Sequence, residues 1–293
     1  MSTGRRVRRP TPVARALAGL VGLVVVVAAG CSSSTHATAP TTTARPATPV
    51  TAAGTGAAGF TPFFLKGGQV SPGHRRPTPT SDPLGTAVRT LIAGPDAVDV
   101  AAGLSDAVVR SVVLYSVTQQ GHVAVVNLGR KFETTNTRPQ VGQMVYTLTQ
   151  FPGIDQVQFL IEGQPNGATG VPPWSRADLA DMTPAVLVLD PAPADQLAPT
   201  FTCQGLTQLT VAMACVVLDG SGRRVATTAT AEPTTTSTTT TVVGVAGSPA
   251  PGSVEFALQV HVTGAVHGPA TVVVGPAKPT SGAPLASVAV TFP

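Results

Sequence analysis

The sequence is poor in charged and aromatic residues and lacks the common catalytic motifs. Only 11% of its 293 residues are Asp, Glu, Lys or Arg, and 4% are aromatic. Its five histidines are scattered, and it has no HExxH, CxxC, GxSxG or GxxxxGK[ST] pattern and no calcium loop of spaced Asp and Asn. Catalysis and metal binding need several such groups to converge. The sequence therefore predicts a protein that is not an enzyme and holds no metal or cofactor.

Acidic pairs are equally scarce. The nearest candidate is Asp178 with Asp181, which lie at helical spacing. Two carboxylates at this spacing are usually a solvated helix face, and that is our expectation here.

Acidic residues are absent from the first 30 positions, which makes the net charge misleading. The whole chain has a formal charge of +4, but five arginines lie before residue 30, and without them the charge is −1. Binding to nucleic acid needs a patch of Lys and Arg that neutralises phosphates. We therefore predict that the mature protein does not bind nucleic acid.

Residues 1–30 have the three parts of a secretory signal peptide. A basic start precedes the apolar run 16–30, and small residues lie before a cleavage point. The run has about 15 residues, fewer than the roughly 20 that a spanning helix needs. A signal peptide is the favoured interpretation, and a retained membrane helix is the alternative.

The cleavage point resembles the lipobox of bacterial lipoproteins. It has the sequence Val27-Ala-Ala-Gly-Cys31, in which the thiol of Cys31 would take the lipid. Such signals most often carry Leu where Ala28 stands, so ordinary cleavage with a spare thiol is the alternative. Two acyl chains anchor a protein stably, whereas one does so marginally. We expect a palmitate-type anchor on Cys31 that holds the protein on the extracytoplasmic face of the cell membrane.

Residues 31–59 consist almost entirely of Thr, Ala, Pro, Ser and Gly. Such a stretch has little apolar surface to bury and cannot offset the entropy of becoming ordered. We predict a disordered tether that holds the folded part away from the membrane.

Residues 60–163 carry the patterns of a small α+β domain. The predicted elements are an opening strand at 61–65, a helix from Pro83 to Gly94, a hairpin of 111–117 and 122–128, a helix at 139–151 and a strand at 156–161. Ser81 or Asp82 would cap the first helix, which Pro83 begins. We expect two helices on one face of a small sheet.

The second of these helices has an amphipathic pattern. Its predicted apolar face contains Val141, Met144, Val145, Leu148 and Phe151. Its predicted solvent face contains Gln140, Gln143, Thr147 and Gln150.

A linker at 164–183, with a short helix near residues 174–181, precedes an all-β domain at 184–293. The candidate strands are 185–189, 200–206, 210–218, 224–230, 254–262, 270–274 and 285–292. The clearest is 254–262, in which every second residue is a large apolar one. About seven short strands separated by turns favour an immunoglobulin-like β-sandwich.

Two further cysteines, Cys203 and Cys215, lie in this β-domain. Strand alternation directs both sulfurs into the sandwich, from strands that we expect to be neighbours. An exported protein enters an oxidising compartment, so we predict a disulfide between them. Two buried free thiols are the alternative.

Several segments of the α+β domain resemble the GerMN domain of sporulation and spore-germination proteins. They are the helix Pro83-Leu-Gly-Thr-Ala-Val-Arg-Thr-Leu-Ile-Ala-Gly-Pro95, the strand Val123-Ala-Val-Val-Asn-Leu128 and the run from Val145 to Gly163, which contains Thr147-Leu-Thr-Gln-Phe-Pro-Gly153. The β-domain looks like the immunoglobulin-like domain of bacterial spore-germination proteins at Gly205 and Asp219-Gly-Ser-Gly222. It departs from that family at Leu209-Thr210 and in the Thr-rich insertion at 233–241.

The resemblance implies an envelope module without known catalytic residues that is used in protein assemblies outside the membrane. Abundant Ala, Gly, Val and Pro, with Arg preferred over Lys, suit an actinobacterial source. We expect a non-enzymatic lipoprotein that offers a sheet edge or a helix face to an envelope protein. In the alternative, the β-sandwich binds a cell-wall glycan or a peptidoglycan fragment.

Overall fold

Short strands alternate with helices in the first half of the folded chain, and strands alone form the second half. The computed structural model describes residues 59–78, 81–132, 137–165, 172–228, 252–278, 281–283 and 285–293. The predicted signal peptide, Cys31 and the tether up to residue 58 lie outside these ranges. None of the described helices has the length and apolar character needed to cross a bilayer.

The N-terminal region mixes α and β structure, as predicted. Its strands are β1 (Gly59–Phe60), β2 (Phe63–Lys66), β3 (Gln69–Pro72), β4 (Arg76–Pro77), β5 (Leu114–Gln120), β6 (Val123–Leu128), β7 (Gln156–Ile161) and β8 (Gln164–Pro165). Its helices are α1 (Pro83–Ala93), α2 (Ala97–Ala101) and α3 (Thr137–Leu148). The main sheet has the order β5-β6-β7-β8, in which β6 and β7 are parallel, and β1 with β4 and β2 with β3 form separate pairs.

Helix α1 begins and ends where local signals place it. Pro83 occupies the first helical turn, and the Asp82 carboxylate accepts a hydrogen bond of 3.0 Å from the N–H of Gly85. The chain leaves the helix at Gly94, whose φ of 78° is in the left-handed region. The predicted cap, start and end are confirmed.

The β5–β6 hairpin is shifted relative to its prediction. Strand β5 continues to Gln120, so the turn contains only Gly121 and His122. Gly121 has a φ of 59°, which suits the first central position of a type II′ turn. The register also shifts between Leu114 and Ser116, which leaves Tyr115 at a β-bulge.

The predicted solvent face of α3 is wrong. Gln140, Gln143 and Thr147 have no exposed surface. The helix packs against β2, β3 and the 3₁₀ helix Arg176–Met182 in addition to α1 and β7, so its polar side is covered as well. The covering segments are distant in sequence, and helical periodicity within α3 contains no information about them.

The covered polar side chains of α3 form hydrogen bonds with backbone and side-chain groups of the segments above them. The Thr147 hydroxyl accepts from the N–H of Phe63 at 2.9 Å. The Gln143 amide oxygen accepts from the N–H of Ala107 at 2.8 Å, and its NH₂ donates to Asp106 at 3.0 Å. Buried polar groups stabilise a fold only when they are paired in this way.

The C-terminal region is sheet-rich, as predicted. Its strands are β9 (Val186–Asp190), β10 (Thr200–Thr207), β11 (Met213–Asp219), β12 (Arg224–Thr228), β13 (Val254–Val262), β14 (Gly268–Pro276) and β15 (Ala286–Phe292). They form one sheet in the order β15-β14-β11-β12-β13-β10-β9, which curls into a near-barrel sandwich. In β13, the buried Phe256, Leu258 and Val260 alternate with exposed residues, which confirms the predicted pattern.

The two end strands of this sheet are joined through the segment that follows β9. The N–H groups of Ala194 and Leu197 donate to carbonyls of β15 at 2.8 Å and 2.9 Å, and the N–H of Thr291 donates to the carbonyl of Asp195 at 3.0 Å. The outer edge of β15 is therefore covered by the chain itself.

Strand β9 contributes side chains to two hydrophobic cores, one on each of its faces. Its Leu187 and Leu189 pack in the core of the N-terminal region, whereas Val186 and Val188 pack inside the sandwich. The N-terminal core also contains Leu179 and Met182 from the segment predicted as a linker. The described residues from 59 onward accordingly belong to one compact unit.

Candidate interaction surface

The four-stranded sheet has one covered edge and one open edge. Beyond β7 the edge is covered by β8 and by Trp174, whose N–H and C=O groups exchange hydrogen bonds of 2.8 Å with Val157. At the opposite end of the sheet, no strand in the described part of the chain pairs with the outer side of β5. An open strand edge exposes unpaired N–H and C=O groups to any extended chain.

Apart from the bulge at Tyr115, strand β5 lacks the residues that usually protect such an edge. Its sequence from Leu114 to Gln120 contains no charge, no proline and no glycine. Tyr115 and the preceding Val113 are 55% and 52% exposed. Natural edge strands are normally blunted by Lys, by Pro or by a covering segment, so β5 is chemically suited to pairing.

The hairpin geometry determines which backbone groups of β5 face outward. In a two-residue turn, the carbonyl of Gln120 accepts from the N–H of Val123, so this pair is hydrogen-bonded. Hydrogen-bonded and non-hydrogen-bonded pairs alternate along an antiparallel ladder. Ser116 and Thr118 therefore direct their N–H and C=O groups toward β6, whereas Val117 and Gln119 direct theirs outward.

The sheet face next to this edge is uncharged. Helices α1 and α3 cover the other face, where β6 and β7 bury every second residue. The opposite face presents Ser116, Thr118, Gln120, Val123, Val125, Asn127, Gln156, Gln158 and Leu160. All nine side chains are exposed or half-buried. We call these residues, together with the outward backbone of β5, the β5 surface.

Pairs of ionisable side chains flank the β5 surface at both ends of the strands. His122 lies 3.3 Å from Asp155 where β6 and β7 begin. Arg130 lies 2.8 Å from Glu162 where they end. The surface between these pairs offers backbone hydrogen bonds, hydroxyls, amides and small apolar groups, which suit a protein strand better than a charged ligand.

A second cluster was missed by sequence reasoning because its members are far apart and match no motif. His74, Asp96 and Asp99 bring an imidazole and two carboxylates together. The guanidinium of Arg76 binds both carboxylates at 2.7 Å, and the N–H of His74 donates to Asp99 at 2.7 Å. Burial alone would raise the pKa of Asp96, but the Asp99 N–H and the charge of Arg76 hold it below its ordinary value.

This cluster is an ion pair at the start of a helix. Asp96 caps α2 and accepts from the N–H of Val98 at 2.9 Å. Arg76 neutralises the two acids from β4, and Asp99 has no exposed surface. The contacts attach α2 to the strand before it, and the guanidinium occupies the position that a cation would need.

Two other arginines connect segments that are distant in sequence. Arg75 donates to Asp190 at 2.6 Å and to Asp195 at 3.3 Å. Burial, with a smaller effect of Asp195, raises the pKa of Asp190 although Arg75 opposes the shift. Arg176 is buried, donates to the Thr149 hydroxyl at 2.7 Å, and has its pKa lowered to about 10 by burial.

The acidic pair of the sequence analysis has structural roles. The Asp178 carboxylate accepts from the N–H of Ser175 at 2.8 Å. Asp181 accepts from the Arg138 Nε at 3.0 Å. Asp178 is thus bound to the start of its own 3₁₀ helix, and Asp181 connects that helix to α3.

The two cysteines of the sandwich lie together in its core, but they are not on neighbouring strands as expected. Cys203 is on β10 and Cys215 is on β11, and β12 and β13 lie between these strands in the sheet. Curling of the sheet brings the two buried thiols into contact across the core. No disulfide joins them in this structure, and the hydrogen bond with Cys215, together with burial, raises the pKa of Cys203.

Comparison with protein families identifies the N-terminal region. The family model described as "Germane: Sporulation and spore germination" matches residues 63–167. This match confirms the resemblance predicted from the helix, strand and Thr-Leu-Thr-Gln-Phe-Pro-Gly segments. No curated protein matches the chain.

Solved structures of GerMN domains are also similar to this chain. The tandem GerMN domains of the sporulation protein GerM from Bacillus subtilis match with 19% identity and a TM-score of 0.34, over 40% of this chain and 44% of that one. The first GerMN domain of GerM matches with 20% identity and a TM-score of 0.32, over 40% of this chain and 90% of that one. A presumed lipoprotein from Clostridium perfringens matches with 19% identity and a TM-score of 0.30, over 44% and 94%. The chain thus spans less than half the length of the tandem structure.

Proposed function

We propose, taking residues 63–167 as a sporulation and spore-germination domain, that this chain is a lipid-anchored extracytoplasmic lipoprotein. Its role is to bind another protein of the cell envelope without catalysis. The observation that carries the proposal is the open, uncharged edge of β5 beside an uncharged sheet face. Pairing with an extended strand is a common way for such an edge to bind a protein.

The clustered ionisable groups support a structural role rather than catalysis. Asp96 and Asp99 are each bound by Arg76, and Asp190 and Asp195 are both bound by Arg75. The charge of Arg76 helps to hold the pKa of Asp96 below its ordinary value, which makes this carboxylate a poor general base. The polar β5 surface, in contrast, is accessible to a partner.

The proposed location on the extracytoplasmic face of the membrane rests on the sequence that precedes the described residues. A lipidated Cys31 would attach the chain to the membrane, and the 31–59 tether would hold the β5 surface away from it. The test compares the full chain with its Cys31→Ala variant by membrane fractionation and by mass spectrometry of the N-terminal peptide. We expect the variant to leave the membrane fraction; equal retention of both proteins, with residues 1–30 removed, contradicts the anchor.

The binding role is tested in membranes with a charge placed on the edge. Thr118→Lys puts an ammonium group on the exposed side of β5, as natural edge strands do. The matched control is Thr291→Lys, an equally exposed threonine on β15, whose edge is covered. Chemical crosslinking of the tagged full chain should lose its protein partner in the first variant and keep it in the second. Identical crosslinks in the parent and both variants would refute the role of β5.

The same protein can be tested for the alternative role in glycan binding. The tagged full chain, solubilised in detergent, is sedimented with purified cell-wall sacculi. A protein-binding module stays in the supernatant, whereas a peptidoglycan-binding protein moves to the pellet. Sedimentation that Thr118→Lys leaves unchanged would favour the glycan role, carried by another surface.

We further infer that the C-terminal sandwich is immunoglobulin-like and that Cys203 and Cys215 form a disulfide after export. The support is seven strands around one core and two fully buried thiols in mutual contact. A bond between them would join strands that are not neighbours in the sheet, and it would constrain the unfolded chain.

A further inference from the structure

We propose that the strand bound by β5 is the β5 strand of a second copy of this chain. The two copies pair in antiparallel fashion about a two-fold axis and join their four-stranded sheets into one. This inference rests on the proposed function, which makes the β5 edge the binding surface, and adds the identity of the occupant. The register of β5, its lack of charge and the nature of the opposite edge all favour this occupant.

The regular part of β5 has a centre about which it can pair with itself. The bulge at Tyr115 limits the regular ladder to Ser116–Gln120, and Thr118 is the middle residue of that run. A two-fold axis at Thr118 pairs Val117 of each copy with Gln119 of the other. These are the residues whose N–H and C=O groups face outward, so both pairs can exchange backbone hydrogen bonds.

The side chains are compatible with this register. Thr118 lies opposite Thr118, and Ser116 lies opposite Gln120, so no charge meets a like charge. Opposed threonines are favourable cross-strand pairs, whereas opposed like charges are destabilising. The exposed ring of Tyr115 then lies beside the Gly121 turn of the second copy, where glycine leaves room for it.

The far edge of the sheet explains why the pairing would stop at two copies. Strand β8 is only Gln164–Pro165, and the proline has no N–H to donate. Trp174 pairs with β7 alongside it. A two-fold dimer through β5 therefore uses the two open edges together and leaves only the short, proline-containing edges at β8 outside, which gives a closed assembly instead of a fibre.

A strand from a different protein would leave more backbone groups without hydrogen-bond partners. It would pair with β5 on one side and expose its own second edge unless that edge is covered elsewhere. Two copies tethered to one membrane also meet at a high local concentration, which favours an interface made by a single strand. Both considerations favour the second copy.

A cysteine at the centre of the strand tests the register directly. In the predicted dimer the two Thr118 residues form a non-hydrogen-bonded pair, with Cα atoms about 4.5 Å apart, a distance that allows a disulfide. Thr118→Cys is introduced into full-length chains with two different tags, which are expressed together and oxidised mildly in membranes. We expect a band that contains both tags and disappears on reduction, whereas the parent and Thr291→Cys remain monomeric.

Each possible outcome decides the question. If Thr118→Cys crosslinks to a different protein, the second copy is wrong and the protein-binding role survives. If Thr118→Cys gives no crosslink at all, with bifunctional thiol reagents included, both proposals fail. A mixed-tag band of equal strength in Thr291→Cys would mean nonspecific contact and would also overturn the inference.

Two further variants separate loss of pairing from loss of folding. Val117→Pro removes an outward N–H, whereas Thr118→Pro removes one that belongs to the β5–β6 ladder. Ser116→Cys in one tagged chain and Gln120→Cys in the other serve here as the crosslinking pair, since these residues face each other in the dimer. Val117→Pro should then abolish the mixed-tag band while circular dichroism shows that the protein is still folded. Thr118→Pro should lower the melting temperature. A folded Val117→Pro protein that crosslinks as the parent does would contradict the pairing.

Discussion

The two sheets of this protein treat their edges in opposite ways. The seven-stranded sheet is joined across its ends by hydrogen bonds between residues 194–197 and β15. The four-stranded sheet is covered at β8 and open at β5. A covered edge cannot pair with another chain, so the open, uncharged edge of β5 is where we propose that association occurs.

The largest expected loss of stability comes from a substitution that disrupts the seven-stranded sheet. Gly205 lies in β10 where an added Cβ would be 2.0 Å from the carbonyl oxygen of Leu187 and 2.7 Å from the Phe256 ring. Gly205→Val forces β9 and β10 apart and should destabilise the protein by about 3 kcal/mol or more. Chemical denaturation of the full chain measures this. The control Gly220→Ala, whose nearest neighbour is an ordinary contact at 3.4 Å, should unfold as the parent does.

The next effect concerns the two cysteines of the sandwich. A disulfide between Cys203 and Cys215 would close a loop of about a dozen residues and add about 3 kcal/mol. Protein isolated from the envelope should resist alkylation after denaturation and should lose stability when it is reduced. A Cys203→Ala, Cys215→Ala protein should match the reduced parent and be insensitive to reductant. Complete alkylation of the unreduced, denatured parent would contradict the disulfide.

A smaller effect is expected at the ion cluster between the two regions. Arg75→Ala leaves Asp190 and Asp195 without their shared cation and should cost about 2 kcal/mol at neutral pH. The pKa of Asp190 is already raised by burial, so its charged form destabilises the folded state above that pKa. As the pH falls toward 4 the folded state binds the proton first, and the deficit of the variant should shrink. A deficit that grows on acidification would contradict this assignment.

The smallest effect concerns the register of the open strand. Gly121 has a positive φ at the first central position of the turn, and Gly121→Ala should cost about 1 kcal/mol because the alanine side chain is strained there. Gly220→Ala again serves as the control. If Gly121→Ala leaves the melting temperature unchanged, the turn does not fix the β5 register.

The elements that sequence alone predicted well depend on local chemistry. Helix α1 starts at the capping Asp82 and at Pro83, and it ends at Gly94. In β13, the alternation of apolar and polar residues identifies the buried face. The coarse order of α+β followed by all-β structure follows from such signals, as does the resemblance that the family model confirms.

The features that could not be predicted from the sequence depend on contacts between distant segments. Whether Gln143 on α3 faces water is determined by β2, β3 and residues 176–182. Whether Cys203 and Cys215 lie on neighbouring strands depends on the order of the strands in the sheet. That order cannot be read from the order of the strands along the chain. The absence of charge in β5 is visible in the sequence, but its position at an edge appears only in the folded structure.

Amide hydrogen exchange on the full chain in detergent at increasing concentration tests the central claim most directly. We expect the amides of β15 to be protected at every concentration, because residues 194–197 are hydrogen-bonded to this strand. The account predicts that the amides of Val117 and Gln119 exchange fast in dilute protein and become protected as the concentration rises. Protection of these two amides that does not depend on concentration would mean that the chain itself covers β5, and that result would contradict the account.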